Sequence, residues 1–384
     1  MADLARRALL PNGMRDILPP EAAFEADTVA RLMAALAAEG YERVKPPLVE
    51  FEDSLLAGSG VAMAQHTFRM MDPVSQRMMG VRADMTLQIA RIAATRLKKV
   101  ARPLRLSYAG QVLRVAGDEM RPERQIGQVG AELIGSAAAA ADADTDQCRR
   151  AQPHDLGVER LTIDLSTPDL VPIVAAAFGF AGDEARKLRK ALDHKDSATV
   201  AEMAGAAAPL FDRLIHAAGP AHQCLAALAG LDLPAGARAE IARAAEVVAM
   251  VEAASPGLAL ALDPVESRGF EYHTGLCFTL LAAGVRGELG RGGRYFAGED
   301  LSPGHGEPAT GFTVYTDTLL RAIPARPAPR RIFVPFGIAP AAAQALRAEG
   351  WTTIAGLAPA SDAGAEARRC GCTHLLGNIG PQEV

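Results

Sequence analysis

Two extended segments, residues 104–115 and 125–135, constrain this chain more than any other feature. Both read as strands. The charged stretch between them, with Gly117 and Pro122, joins them as a long hairpin. A pair of this kind commits the chain to an antiparallel sheet.

Helical periodicity flanks the hairpin. Phe24, Val29, Leu32 and Leu36 recur at helical spacing up to Gly40, which reads as a stop. Residues 41–51 are extended, and Pro46 and Pro47 put them at an edge or an interface. A helix is predicted over 86–100, burying Leu87, Ala90, Ala94 and Leu97. Residues 136–152 are Ala- and Asp-rich and helical in character. Strands are predicted at 161–165, 259–262 and 275–281, with a last helix beginning near Tyr315. Between them, from about 170 to 254, helix formers broken by Gly and Pro read as an inserted helical subdomain. Residues 324–330 carry three prolines and read as an extended linker. Beyond it, 331–384 reads as a small β-α-β-α-β unit, marginal by itself.

A length of 384 residues suits one large domain plus a smaller one. The net charge of -5 argues against a dedicated nucleic-acid binder, whose affinity comes from Lys and Arg releasing counterions. The basic cluster Arg96, Lys98, Lys99, Arg102 and Arg105 is either a solvated helix end or a docking face for an acidic partner. Five cysteines, at 148, 224, 277, 370 and 372, are odd in number and scattered, which fits reduced cytosolic thiols. Cys370, Cys372 and His374 do not follow a usual zinc spacing, so no metal is expected there. The first ten residues lack the apolar core of a signal peptide, and no window approaches the roughly 18 apolar residues that span a bilayer. A soluble, cytoplasmic protein that avoids membranes is expected.

Three segments carry polar groups suited to a small zwitterion. Gln128, Gly130 and Glu132 share one strand face, with the ends of the trio roughly 13 Å apart. The glycine leaves room for a ligand to approach the sheet; a solvated face with an incidental glycine is the plainer alternative. Asp84 and Thr86 lie just ahead of a helix, where an N-cap is the ordinary role. The third segment runs from Arg268 through Tyr272 and His273 and is followed by the glycine-rich 287–295, which ends in Tyr295. It contains no phosphate-cradling Gly-Lys-Ser or Gly-Lys-Thr, and a glycine hairpin is its plain reading.

Taken in order along the chain, these segments resemble histidyl-tRNA synthetase over roughly residues 10 to 320. Gly13-Met-Arg-Asp-Ile-Leu-Pro19 is similar to the family's N-terminal signature. Gly40-Tyr41 through Pro47-Leu-Val-Glu50 is similar to the first class II motif, which forms a dimer interface. Val81-Arg-Ala-Asp-Met-Thr86 is similar to the family's Leu-Arg-Pro-Glu-Gly-Thr. Tyr108–Arg114 and Arg124–Glu132 resemble the two strands of the second motif. Arg268-Gly-Phe-Glu-Tyr-His273 resembles the histidine-specific Arg-Gly-Leu-Asp-Tyr-Tyr, and Gly292-Gly-Arg-Tyr295 and Gly311-Phe312 complete the series. The resemblance implies an α+β fold: a class II synthetase-like antiparallel sheet flanked by helices over 1–323, containing the helical insertion. Residues 331–384 would be a reduced anticodon-binding-like unit.

The departures bear on activity. The second motif's arginine is kept as Arg114, but the glutamate that reads adenine in the family is Ala116 here. In the third motif, Gly-Phe-x-x-Gly-x-Glu-Arg, Tyr315 replaces Gly and Thr318 replaces the nucleotide-clamping arginine. Threonine offers no guanidinium fork. Losing two such contacts, at roughly 1.5–3 kcal/mol each, slows activation by about 10²- to 10⁴-fold.

The implied amino-acid pocket survives better. Asp84 and Thr86 would face the α-amino group; Arg114, Gln128 and Arg268 the carboxylate; Glu132 the imidazole N–H; Tyr272, His273 and Tyr295 complete the set, with Tyr295 flanking the ring. His273 stands where the synthetase has a second tyrosine. A histidine pocket without adenylation groups resembles the synthetase-like regulatory subunits of ATP phosphoribosyltransferase. That resemblance implies a non-catalytic chain without cofactors that assembles with a short-form catalytic subunit and takes histidine as effector. Two alternatives stay open. One is a divergent synthetase in which Arg291 or Arg294 replaces the lost clamp; the other is a tRNA-binding module.

Overall fold

In a computed structural model, the residues described are 9–56, 63–117, 121–144, 156–267, 273–298, 306–324, 329–377 and 380–384. The chain divides into two compact units, Met1–Pro324 and Ala325–Val384.

The first unit contains twelve described strands: β1 Glu42–Arg43, β2 Val49–Phe51, β3 Arg69–Met71, β4 Met78–Val81, β5 Leu104–Leu113, β6 Gln125–Ile134, β7 Leu161–Ser166, β8 Gly219–Pro220, β9 Ala259–Asp263, β10 His273–Ala282, β11 Gly290–Ala297 and β12 Glu307–Tyr315. Nine of them form one sheet, in the order β1-β5-β6-β12-β11-β10-β7-β9-β8. It is antiparallel from β5 through β7, as the hairpin demanded, with parallel pairs at β1–β5 and β7–β9. β1 is an edge strand, and Pro46 and Pro47 follow it outside the ladder. β2, β4 and β3 make a separate small sheet.

Alternation along β6 divides the packing. Val129 and Ala131 join the helix Glu21–Ala38 and the helices between 170 and 254 in the larger hydrophobic cluster. Ile126 and Ile134 belong to the opposite cluster with Tyr108, Tyr295 and the helix Thr86–Thr95. Buried side chains on both faces of the central strands thus place helices on both sides of the sheet.

The helix from Thr86 ends at Thr95, five residues short of the expected 100. Its buried residues are Thr86, Gln88, Ile89, Ala90 and Ala93, so the stripe is rotated from the predicted Leu87 and Ala94. Arg102 folds back on this end, reaching the Ala93 carbonyl of the last turn at 3.4 Å. Its guanidinium donates to the carbonyls of Leu97 at 2.9 Å and Val100 at 2.8 Å, and pairs with Glu307 at 2.5 and 2.7 Å. One member of the basic cluster is therefore a helix cap, whereas Arg96, Lys98 and Lys99 stay exposed. Arg102→Ala is expected to lower stability in urea by about 2–3 kcal/mol, because several carbonyls and one carboxylate lose a charged donor together. A change below about 0.5 kcal/mol would assign no structural role to the cap.

The glycine-rich 287–295 closes the turn after β10 and runs into β11, so the plain hairpin reading holds: the two strands are antiparallel partners, and β11 is also a central strand of the sheet. Gly292 is required there because a Cβ would strike the Gly311 carbonyl and the Phe278 ring across the sheet.

The second unit has strands β13 Arg331–Val334, β14 Thr352–Ala355, β15 His374–Gly377 and β16 Gly380–Glu383, ordered β14-β13-β15-β16. β16 is antiparallel to β15 and was absent from the expected β-α-β-α-β pattern. Ile332, Val334, Leu346 and Trp351 form its small core. His374 packs edge-on against Trp351, with ring centres 4.7 Å apart, which gives this histidine a structural role.

Candidate functional site

The site is built on one face of the sheet. The ladder aligns Glu132 with Gly311 and Gly293, Gly130 with Thr313 and Arg291, and Ile134 with Ala309 and Tyr295. Period-two alternation then turns Gln128, Gly130 and Glu132 to the same side as Thr313, Tyr315 and Tyr295. The helix Thr86–Thr95 packs on this side through Ile89 and Ala90, which brings Asp84 and Thr86 to the strands.

Asp84, Thr86, Glu132, His273 and Tyr295 come together around one small cavity that opens to solvent. Arg291, Thr313 and Tyr315 complete the wall. From sequence, Arg291 was named only as an alternative nucleotide clamp and Thr313 and Tyr315 had no pocket role, although alternation along β12 from Gly311 supplies the latter two.

Asp84 does two jobs. Its Oδ1 accepts from the Thr86 N–H at 2.8 Å, which retains part of the ordinary cap role, while Oδ2 accepts from Gln128 Nε2 at 2.9 Å. Gln128 Oε1 in turn accepts from the Met85 N–H at 3.1 Å. Gln128 was expected at a ligand's carboxylate end, but its amide is spent on positioning Asp84. This buried amide joins the strand to the helix start and leaves an acceptor oxygen of Asp84 beside the cavity.

The space over Gly130 was expected to admit a ligand. The Tyr108 ring occupies it instead: a Cβ on Gly130 would collide with the Tyr108 hydroxyl end and the Phe312 carbonyl. Tyr108 is fully buried, and its hydroxyl lies 2.8 Å from Thr313 Oγ1 and 3.3 Å from Thr86 Oγ1. It donates to Glu132 Oε1 at 3.1 Å, and Tyr295 donates to Oε2 at 2.9 Å. Gly311 makes this possible, since any Cβ there would fall on Glu132 Oε2.

Burial pushes the Glu132 carboxyl up to about 8 despite these donors, with Asp84 adding a like charge. Burial, helped by the Arg291 charge, pushes His273 down to about 3, so its imidazole is neutral. The cavity therefore offers an acidic end at Asp84, a buried carboxyl at Glu132 and a cation at Arg291, a set suited to a small zwitterion.

Arg114 lies just beyond β5, bridged through its backbone to Thr67, and does not line the cavity. Its Nε is buried without a hydrogen-bond partner. Arg268 and Tyr272 lie outside the described residues. Arg291 forks Glu288 at 2.7 and 2.9 Å, and Arg294 is committed to Asp142 at 2.8 Å and to the Ser136 and Ala138 carbonyls. Neither is placed as a free substitute clamp.

The histidyl-tRNA synthetase family model matches residues 13–319. An ATP phosphoribosyltransferase regulatory subunit of Paramagnetospirillum magneticum is 57% identical over 384 residues, the whole of both chains. One of the same name from Rhodospirillum centenum is 56% identical, covering 98% of this chain and 96% of its own. This chain belongs to the family of ATP phosphoribosyltransferase regulatory subunits. Among solved structures, the ATP phosphoribosyltransferase regulatory subunit/histidyl-tRNA synthetase of Bacillus halodurans superposes with a TM-score of 0.82 at 24% identity, over 94% of this chain and 96% of that one. Histidyl-tRNA synthetase of Nostoc sp. gives 0.79 at 17% identity, over 96% and 90%. These establish the class II synthetase-like fold for this regulatory-subunit family member. No helix among the described residues is long and apolar enough to cross a membrane.

Proposed function

We propose that this chain is the non-catalytic half of an ATP phosphoribosyltransferase and that its cavity takes free histidine as an effector. One contrast carries the reading: Asp84, Thr86, Glu132, His273 and Tyr295 share one cavity, while the family's nucleotide-binding residues are replaced. Thr318, at the family's clamp position, is buried and donates its hydroxyl back to the Tyr315 carbonyl at 3.2 Å. It presents nothing to a nucleotide.

In this reading Asp84 meets the α-ammonium, Arg268 serves the carboxylate end, and Glu132 accepts from the imidazole N–H, while Arg114, which does not line the cavity, makes no contact. Thr86, His273 and Tyr295 complete the walls, Tyr272 belongs to the same ligand set, and Gln128 holds Asp84 in place. The partner is a short-form catalytic subunit that joins ATP to phosphoribosyl pyrophosphate, the first step of histidine biosynthesis. The chain is needed for that subunit's activity and transmits feedback inhibition in the cytoplasm, self-associating through the 40–50 segment as a class II-type dimer. Histidine acts by binding one assembly state more tightly, a coupling of about 1–3 kcal/mol.

Mixing the purified chain with a short-form catalytic subunit is expected to stimulate phosphoribosyl-ATP formation, and millimolar histidine to reverse the stimulation. Absence of both association and stimulation would reject the proposal. Glu132→Ala is expected to weaken histidine inhibition by about 10- to 100-fold while stimulation persists, since one hydrogen bond to a charged or polarised group is lost. Unchanged inhibition would place the effector elsewhere.

A further inference from the structure

We infer that Arg121 is a size stop: it latches the described end of the β5–β6 loop, residues 121–124, at Tyr315 and restricts the cavity to a free amino acid, excluding the same amino acid joined to a nucleotide. The inference deepens the histidine reading and rests on it for the identity of the small ligand; the latch itself does not.

Tyr315 is the shared wall. It lines the cavity, and the Arg121 guanidinium lies over its ring, 3.9 Å from the centroid. The Arg121 side chain is only 6% exposed. It faces Asp317 Oδ2 at 3.3 Å and Glu288 Oε1 at 3.8 Å, and donates to the Glu288 carbonyl at 3.1 Å. One side chain from the hairpin loop thus ties together the approach to β11, the end of β12 and the first turn of the helix Thr316–Ala322. A planar guanidinium suits this position, because it stacks and forks at once.

The loop is also held at its base. Arg124 donates its N–H to the Gly13 carbonyl at 2.8 Å, and Val115 donates to His66 at 2.9 Å. A Cβ on Gly13 would collide with the Pro122 carbonyl and the Arg124 side chain, so the Gly13–Pro19 motif works as the seat of this loop. That gives a purpose to a segment the cavity does not use.

The wall is closed by bulk. Tyr315 lines the cavity and the buried Arg121 side chain stands behind its ring, so the cavity ends at Tyr315 for steric reasons.

Calorimetric titration of the full chain with free histidine, and with a non-hydrolysable sulfamoyl analogue of histidine esterified to adenosine, tests the inference. Wild type is expected to bind the analogue about tenfold or more weakly than histidine. Arg121→Ala is expected to tighten the analogue about tenfold while moving histidine less than about threefold. In the same variant, amides of residues 113–126 are expected to exchange with deuterium about tenfold faster. Wild type binding the analogue as tightly as histidine overturns the size stop, as does Arg121→Ala that frees the loop without admitting the analogue. An unchanged exchange rate overturns the latch. If wild type does not bind histidine, the histidine reading falls and the exchange result decides the latch alone. Should Arg121→Ala fail to fold, Asp317→Asn removes one ion pair while leaving the stack, and faster exchange in the same loop is expected; none would count against the latch.

Discussion

Asp142→Ala is expected to cost about 3–5 kcal/mol of stability, because it leaves a buried guanidinium without its counter-charge. Asp142 receives Arg294 Nε at 2.8 Å and Arg243 Nε at 2.9 Å, and its side chain is 4% exposed. Arg294 also donates to the Ser136 and Ala138 carbonyls, joining β11 to the turn that follows β6. Removing the acid strands Arg294 within the sheet's packing, whereas Arg243 can reach water. Urea titration at neutral pH checks the loss. Asp142→Asn keeps the shape and some acceptor capacity, so it is expected to lose less than Asp142→Ala. Equal losses would mean that shape rather than charge holds the junction, and a loss under about 1 kcal/mol would remove the buried pair as a stabilising element.

Arg294 also marks where sequence reasoning stops. From sequence, Arg291 and Arg294 were the arginines named as able to replace the missing clamp. Deciding between a ligand role and a structural one needs their partners, and Asp142 lies 152 residues from Arg294. Arg121 stands in a charged loop and carries no periodic signal, yet the fold brings it over Tyr315. Partners separated by so much chain are set by sheet order, which one-dimensional patterns do not contain.

Local patterns were more informative. The β5–β6 hairpin could be read because strand periodicity and a polar loop are encoded within a few residues of each other. The shared face of Gln128, Gly130 and Glu132 followed from the same alternation, and the fold adds Thr313 and Tyr315 by pairing β12 beside it. What alternation could not say is how that face is filled. Gly130 leaves a space whether a ligand or a neighbouring ring enters it, and Tyr108 enters it from the partner strand. Likewise, the Gln128 amide has the chemistry to bind a carboxylate, but Asp84 and Met85 reach it first. Helix ends were the least legible, since the turn beyond Thr95 is held by Arg102 folding back onto the carbonyls of Ala93, Leu97 and Val100, a contact that helical periodicity does not encode.

Glu132 sets a pH dependence that an isosteric amide is expected to remove. Its carboxyl rises from an ordinary 4.5 to about 8, mainly because burial disfavours the charged form. The folded state therefore holds a proton that the unfolded chain releases near pH 4.5, and stability falls as pH rises between those values. The contribution is intact below about 4.5 and lost by the time the pH passes about 8, a span worth on the order of 5 kcal/mol. Asp164, Glu240, Glu266 and Asp317 are also raised by burial, so the wild-type profile alone cannot be assigned to one group. The difference between wild type and Glu132→Gln can, because those groups are common to both. The variant is expected to gain on wild type steadily from pH 5 to pH 8.5 in urea titrations, with the steepest gain below the folded value. A difference that stays flat across that window would mean that Glu132 is charged in the folded protein. The Tyr108 and Tyr295 hydroxyls would then supply enough hydrogen bonding to hold a carboxylate in the floor of the cavity, and the pocket would present a negative charge at neutral pH.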